Sequence, residues 1–101
     1  MSKYCVINGN LYNDGLTTEL LVHNGADLRV QATGTGSYKV TGKLTANGVS
    51  KPLELVKLSD FSCVEVGSNN EIYAADVSGF YSVSVSDVQG VTEIYATILE
   101  G

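Results

Sequence analysis

The sequence predicts an all-β fold, a single antiparallel β-sandwich of about eight or nine short strands spanning residues 1–101. Three observations carry this. No segment keeps a helical period for long. Apolar residues instead alternate with polar ones over short runs, the period of two expected of a strand with one buried face. Glycine and asparagine interrupt these runs every ten residues or so, at roughly the spacing of turns in sandwiches and barrels.

Residues 3–7 form the first candidate strand, closed by Asn8-Gly9-Asn10, since Asn-Gly tolerates the positive φ of a hairpin turn. A second turn at Asn13-Asp14-Gly15 leads to a strand over 17–23. Asn24-Gly25-Ala26 then turns the chain into 27–33, with Leu28, Val30 and Ala32 on one face. Thr33-Gly34-Thr35-Gly36-Ser37 reads as a flexible link. Beyond it, 37–45 places Tyr38, Val40, Gly42 and Leu44 inward, and Asn47-Gly48 supplies another turn. Pro52 suits a strand start or an edge in 51–58, because it has no N–H to give to a ladder. The pattern slips phase between Leu55 and Val56, which predicts a bulge or a strand that changes sheets. Residues 61–66 form a short strand before the turn at Gly67-Ser68-Asn69-Asn70.

The stretch 71–100, EIYAADVSGFYSVSVSDVQGVTEIYATILE, reads as three strands joined by two short turns, with the rest of the chain as its cover. Tyr81, Val83 and Val85 alternate with Ser82, Ser84 and Ser86. Gly79 provides the sharp turn into this strand, and Tyr81 is expected inward with its hydroxyl on nearby backbone. The run 76–81, DVSGFY, resembles the tyrosine corner of immunoglobulin-like sandwiches. It implies an immunoglobulin-like or related Greek-key topology. Asp76 stands one residue early, Val83 occupies the cysteine position and tryptophan is absent, so a true immunoglobulin domain is not implied.

Composition narrows the function. At 44% hydrophobic and 17% charged residues the chain is neither a disordered tail nor a membrane span. The start MSKYCVINGN lacks the pattern of a signal peptide, so synthesis in the cytoplasm is expected. The net charge is −5, and all six bases lie at or before Lys57 while seven acids and no base follow it. That balance disfavours nucleic acid as a partner, since binding needs a basic face. It leaves two readings open: an acidic side that docks on a basic neighbour, or charges mixed by strand pairing. Cys5 and Cys63 read as small buried hydrophobes.

No catalytic, cofactor or metal motif is present. His23 is the only histidine and ends a strand, where an exposed, inert imidazole is the default. The acids are scattered, and neither Asn13-Asp14 nor Asn69-Asn70-Glu71 makes a calcium loop. The chain is therefore expected not to be an enzyme. Among the six tyrosines, Tyr73 and Tyr95 alternate out of phase with Ile72 and Ile94 and are expected outward. With Phe80 and Leu99 they form the candidate interface, an exposed apolar patch of the kind that marks protein contacts.

The run Gly34-x-Gly36-Ser37-Tyr38-x-Val40-x-Gly42, then Val77-Ser78-Gly79-Phe80-Tyr81-x-Val83-x-Val85 and the last strand 93–98 resemble small structural proteins of tailed bacteriophages. Capsid decoration, head-fibre and tail-associated β-sandwich domains share this pattern. The resemblance covers roughly residues 33–99 and implies a non-enzymatic virion protein whose partners are other virion proteins or itself. A carbohydrate- or receptor-binding module using the tyrosines is the alternative.

Overall fold

The computed structural model describes residues 5–68 and 70–100, with side chains from Ile7 onward. Every regular element in it is a strand, and each pairing is antiparallel. In chain order these are β1 (Cys5–Asn13), β2 (Leu16–Thr17), β3 (Leu20–Leu21), β4 (Gly25–Lys43), β5 (Lys51–Pro52), β6 (Leu55–Lys57), β7 (Cys63–Val64), β8 (Gly67–Ser68), β9 (Ile72–Asp76) and β10 (Ser82–Glu100). The sheet runs β2-β1-β10-β4-β9-β6-β7, with β3 on β10 and both β5 and β8 on β4. The outermost strands, β2 and β7, are two residues long, and β2 covers only Tyr12 and Asn13, so among the described residues the rest of β1 forms that edge of the sheet.

Two strands of 19 residues organise everything else. β4 and β10 pair along nearly their whole lengths, from Ser82 opposite Lys43 to Glu100 opposite Gly25. Inward residues of one limb (Tyr38, Val40, Val83, Val85) and of the other (Leu28, Val30, Ile94, Ala96, Ile98) belong to one apolar cluster. The long pair must therefore bend back over itself, so that one sheet makes both layers of a sandwich. Burying each valine, leucine or isoleucine among them contributes roughly 1.5–3 kcal/mol, enough to outweigh local turn preferences.

The bend lies where the sequence suggests breaks. Residues 33–37 are continuous strand, not a flexible link, and no turn divides 82–100. Gly34 and Gly90 take φ of 98° and 80°, and Asp87 takes 51°. Backbones approach so closely that a side chain on Gly36 would strike the Gln89 carbonyl, and one on Gly90 the Thr35 carbonyl. Glycine is used here for proximity as well as for turning. The register slips by one residue across this region, from Val85 opposite Val40 to Ile94 opposite Ala32. That bulge moves the inward set on β10 from odd to even positions while β4 stays even.

Other departures have similar causes. Asn8-Gly9 is mid-strand in β1, opposite Thr97 and Ala96, because pairing with β10 overrides its turn preference. Asn24-Gly25 and Asn47-Gly48 do turn the chain, closed by Gly25 N–H to Val22 O at 2.8 Å and Gly48 N–H to Thr45 O at 3.0 Å. The expected strand over 51–58 is interrupted at Leu53-Glu54, and its halves pair different strands: β5 joins β4, whereas β6 joins β9 and β7. Of 61–66 only Cys63–Val64 is strand, and Gly67–Ser68 pairs with Ser37 and Tyr38 where a turn was expected. Lys3 and Asn69 lie outside the described residues, as does the side chain of Cys5. Cys63 is a free, exposed thiol and not a buried hydrophobe.

Candidate interaction surface

The outward face of the β1-β10-β4-β9-β6 sheet is built in rows. Directly opposed residues share a face, so register identifies each row. Asn10, Tyr95, Gln31 and Ile72 form one; Asn8, Thr97, Arg29, Ala74 and Val56 form the next; Leu99, Asp27 and Asp76 close it. Tyr95 is 45% exposed and Ile72 is exposed beside it across Gln31. A shallow hollow of about 180 Å³ runs between them over Arg29 and Thr97. A second, of about 290 Å³, lies under Phe61 and Leu58 against Val56 and Ala74.

The four expected interface residues do not come together. Tyr95 and half-buried Leu99 share the outer face. Tyr73 is 1% exposed and faces the core. It stands opposite Val30, an inward residue, and its hydroxyl accepts a hydrogen bond from the Ser68 N–H at 2.9 Å. Its ring meets Tyr38 edge-on, with centroids 6.3 Å apart. Phe80 is half-buried elsewhere, lying over Gly42 beside Leu53. The outer face instead recruits Ile72, Leu58 and Phe61. Phe61 owes its position to a loop conformation, φ 61°, that no local pattern announces.

Tyr81 likewise lies outside the core, 38% exposed. Its backbone is pinned at the corner, N–H to Lys43 O at 2.8 Å and carbonyl to Val22 N–H at 2.9 Å, and β10 begins one residue later. The ring lies outside, with the Lys43 ammonium 5.9 Å from its centre. Gly79, at φ 81° with open space around it, makes the preceding turn. Leu44 is also outside, at the end of β4.

Acidic and basic groups pair across the fold, in one case between the two halves of the chain. Lys39 lies 3.6 Å from Asp87 and Lys43 lies 3.0 Å from Glu19. Buried Ser82 donates to the same Glu19 oxygen at 2.7 Å. The Ser82 hydrogen bond, then the one from Lys43, hold the Glu19 carboxyl below the usual range. This cluster ties β3 and its approach to the ends of β4 and β10; its serine is covered and its carboxylate already occupied. His23 sits exposed in a turn at φ 54°. Among the described residues no group of histidine, cysteine and acidic side chains is arranged to hold a metal. No helix among the described residues is long and apolar enough to cross a membrane.

Two solved structures share this architecture. One is the SPBc2 prophage-derived protein YomS, with a TM-score of 0.73 and 18% identity over 98% of this chain and 92% of that one. The other is the PBSX exported protein XepA, with a TM-score of 0.79 and 20% identity over 99% of this chain and 39% of that one. The likeness is one of fold. No protein-family description matches the chain, and no curated protein matches it.

Proposed function

We propose that this chain is a non-enzymatic bacteriophage protein, a virion component of the capsid-decoration or head- or tail-associated kind, that works by binding neighbouring proteins, copies of itself among them. The observation that carries this reading is the fold shared over 98–99% of the chain with the SPBc2 prophage-derived protein YomS and the PBSX exported protein XepA. The exposed row of Tyr95 and Ile72, with Phe61 and Leu58 nearby, supplies the contact surface. Its mix of aromatic and aliphatic groups around a single Arg29 suits a protein interface better than a polar ligand cleft. Synthesis in the host cytoplasm and incorporation into a particle fit this role. XepA is called exported, so release from the cell without a particle stands as the alternative fate.

The test is to purify phage particles from cells carrying the chain and probe them with an antibody to it. Stoichiometric presence, lost in a folded Tyr95→Ala/Ile72→Ser double variant, is expected. A protein found only in the particle-free supernatant overturns the virion assignment. A second reading, a carbohydrate- or receptor-binding module, draws on Tyr95 alone, since Tyr73 is unavailable; Gln31, Arg29 and Thr97 beside it offer hydrogen bonds. Glycan-array binding abolished by Tyr95→Ala would favour it.

A further inference from the structure

At the opposite end of β4 from the Tyr95 row, the chain builds a hollow of about 430 Å³ that the outer sheet face does not include. Its floor is Gly42, Phe80 and Leu53, and its walls are Leu44 and Val49, which are 66% and 75% exposed. The hollow depends on Gly42: any side chain there would collide with the Phe80 ring that lies across it. In a chain with eleven acids and six bases, the lining holds two lysines, Lys43 and Lys51, and no acid. Lys43 is held by Glu19 at 3.0 Å, whereas Lys51 is exposed and forms no ion pair among the described residues.

We propose that this hollow docks a segment of a partner protein that presents one large apolar side chain flanked by carboxylates. Shape leaves room for a large apolar side chain together with the backbone on either side of it, since the hollow exceeds one side chain in volume, and anchoring aromatic residues dominate protein interfaces. Charge selects the flanks, with the free Lys51 at the mouth facing whatever precedes or follows the anchor. A small polar ligand lacks support, because the lining offers no convergent set of polar side chains. An anionic membrane is disfavoured on number: electrostatic lipid binding takes clusters of roughly four to eight bases, and this chain carries two here against a net charge of −5. The inference rests on the protein–protein reading above but uses a different surface, so the two fail separately.

The experiment is an amide NMR titration of the full chain with two blocked nonapeptides, one carrying Phe between aspartates and the other the same sequence with lysines replacing the aspartates. The aspartate peptide is expected to shift the Gly42, Gly48 and Lys51 amides, with affinity reduced about five-fold by Lys51→Glu, the scale of an exposed charge pair. Tyr95→Ala should leave this binding unchanged. No shift with either peptide, or equal shifts with both, overturns the proposal, as do shifts of those amides only on adding phosphatidylglycerol vesicles. Peptide binding that persists in a chain absent from particles overturns the virion reading alone.

Discussion

The tetrapeptide Glu-Ile-Tyr-Ala occurs twice, at 71–74 leading into β9 and at 93–96 within β10, and the two copies turn opposite residues inward. In the first, Ile72 is outside and Tyr73 is in the core; in the second, Ile94 is in the core and Tyr95 is outside. Both copies flank β4, where Gln31 stands between Ile72 and Tyr95, and Val30 between Tyr73 and Ala96. Identical local sequence thus has no fixed inside. The neighbours decide: β9 continues inward with Ala75 and, just past its end, Val77, β10 with Ile98, and each strand follows its majority. Ser68 completes the choice by giving the buried Tyr73 hydroxyl a partner.

Substitutions at these paired positions should separate the faces sharply. Tyr73→Ala is expected to cost about 3–5 kcal/mol in urea unfolding, the range for a large buried side chain. A cost under 1 kcal/mol would place Tyr73 at the surface. Gly90→Ala attacks the bulge that sets which residues of β10 face inward. The left-handed φ alone is worth about 1–3 kcal/mol, and the collision with the Thr35 carbonyl adds to it, so a drop in melting temperature of several degrees is expected.

Tyr38→Phe tests the other ring of the buried tyrosine pair. Among the described residues its buried hydroxyl has no hydrogen-bond partner, so its removal should change stability by less than about 1 kcal/mol, in the stabilising direction if at all. Burial, and then the nearby Tyr73, push the Tyr38 hydroxyl above its ordinary value of 10. The neutral form is favoured in the fold, so this contribution is full below pH 10 and lost as pH rises beyond it. Thermal melts at pH 9 and 11 should therefore diverge more for the native chain than for Tyr38→Phe. Glu19 works in the other sense: its lowered value gives stability above about pH 4.5 that fades as pH falls, and Glu19→Gln should flatten that acid limb. Tyr95→Ala, the smallest effect, should stay within about 0.5 kcal/mol in monomer stability.

The class of fold was legible because alternation and turn residues recur throughout, and the inward sets Leu28-Val30-Ala32 and Val83-Val85 are where the pattern puts them. What escaped reading was continuity. Gly34, Gly36 and Gly90 look like punctuation, yet they let two strands bend without ending, because long-range pairing is invisible in a local window. Of the outer face proposed as a contact surface, only Tyr95 and Leu99 were legible. Ile72 was hidden by the assumption that isoleucine points inward, and Phe61 by a left-handed backbone in a loop. Leu44 and Val49 stand beside the Asn47-Gly48 turn, a position from which their exposure was inferable.

The seat of β10 between β1 and β4 also governs how the molecule comes into being. Most contacts of the core join residues far apart in the chain, a topology whose folding takes milliseconds to seconds. Until 82–100 have left the ribosome, β1 and β4 have no strand between them, and each shows a long open backbone edge. A nascent chain in that state is exposed to pairing with its neighbours on the same message. Slow or crowded translation should therefore lower the yield of folded protein far more than any single surface substitution.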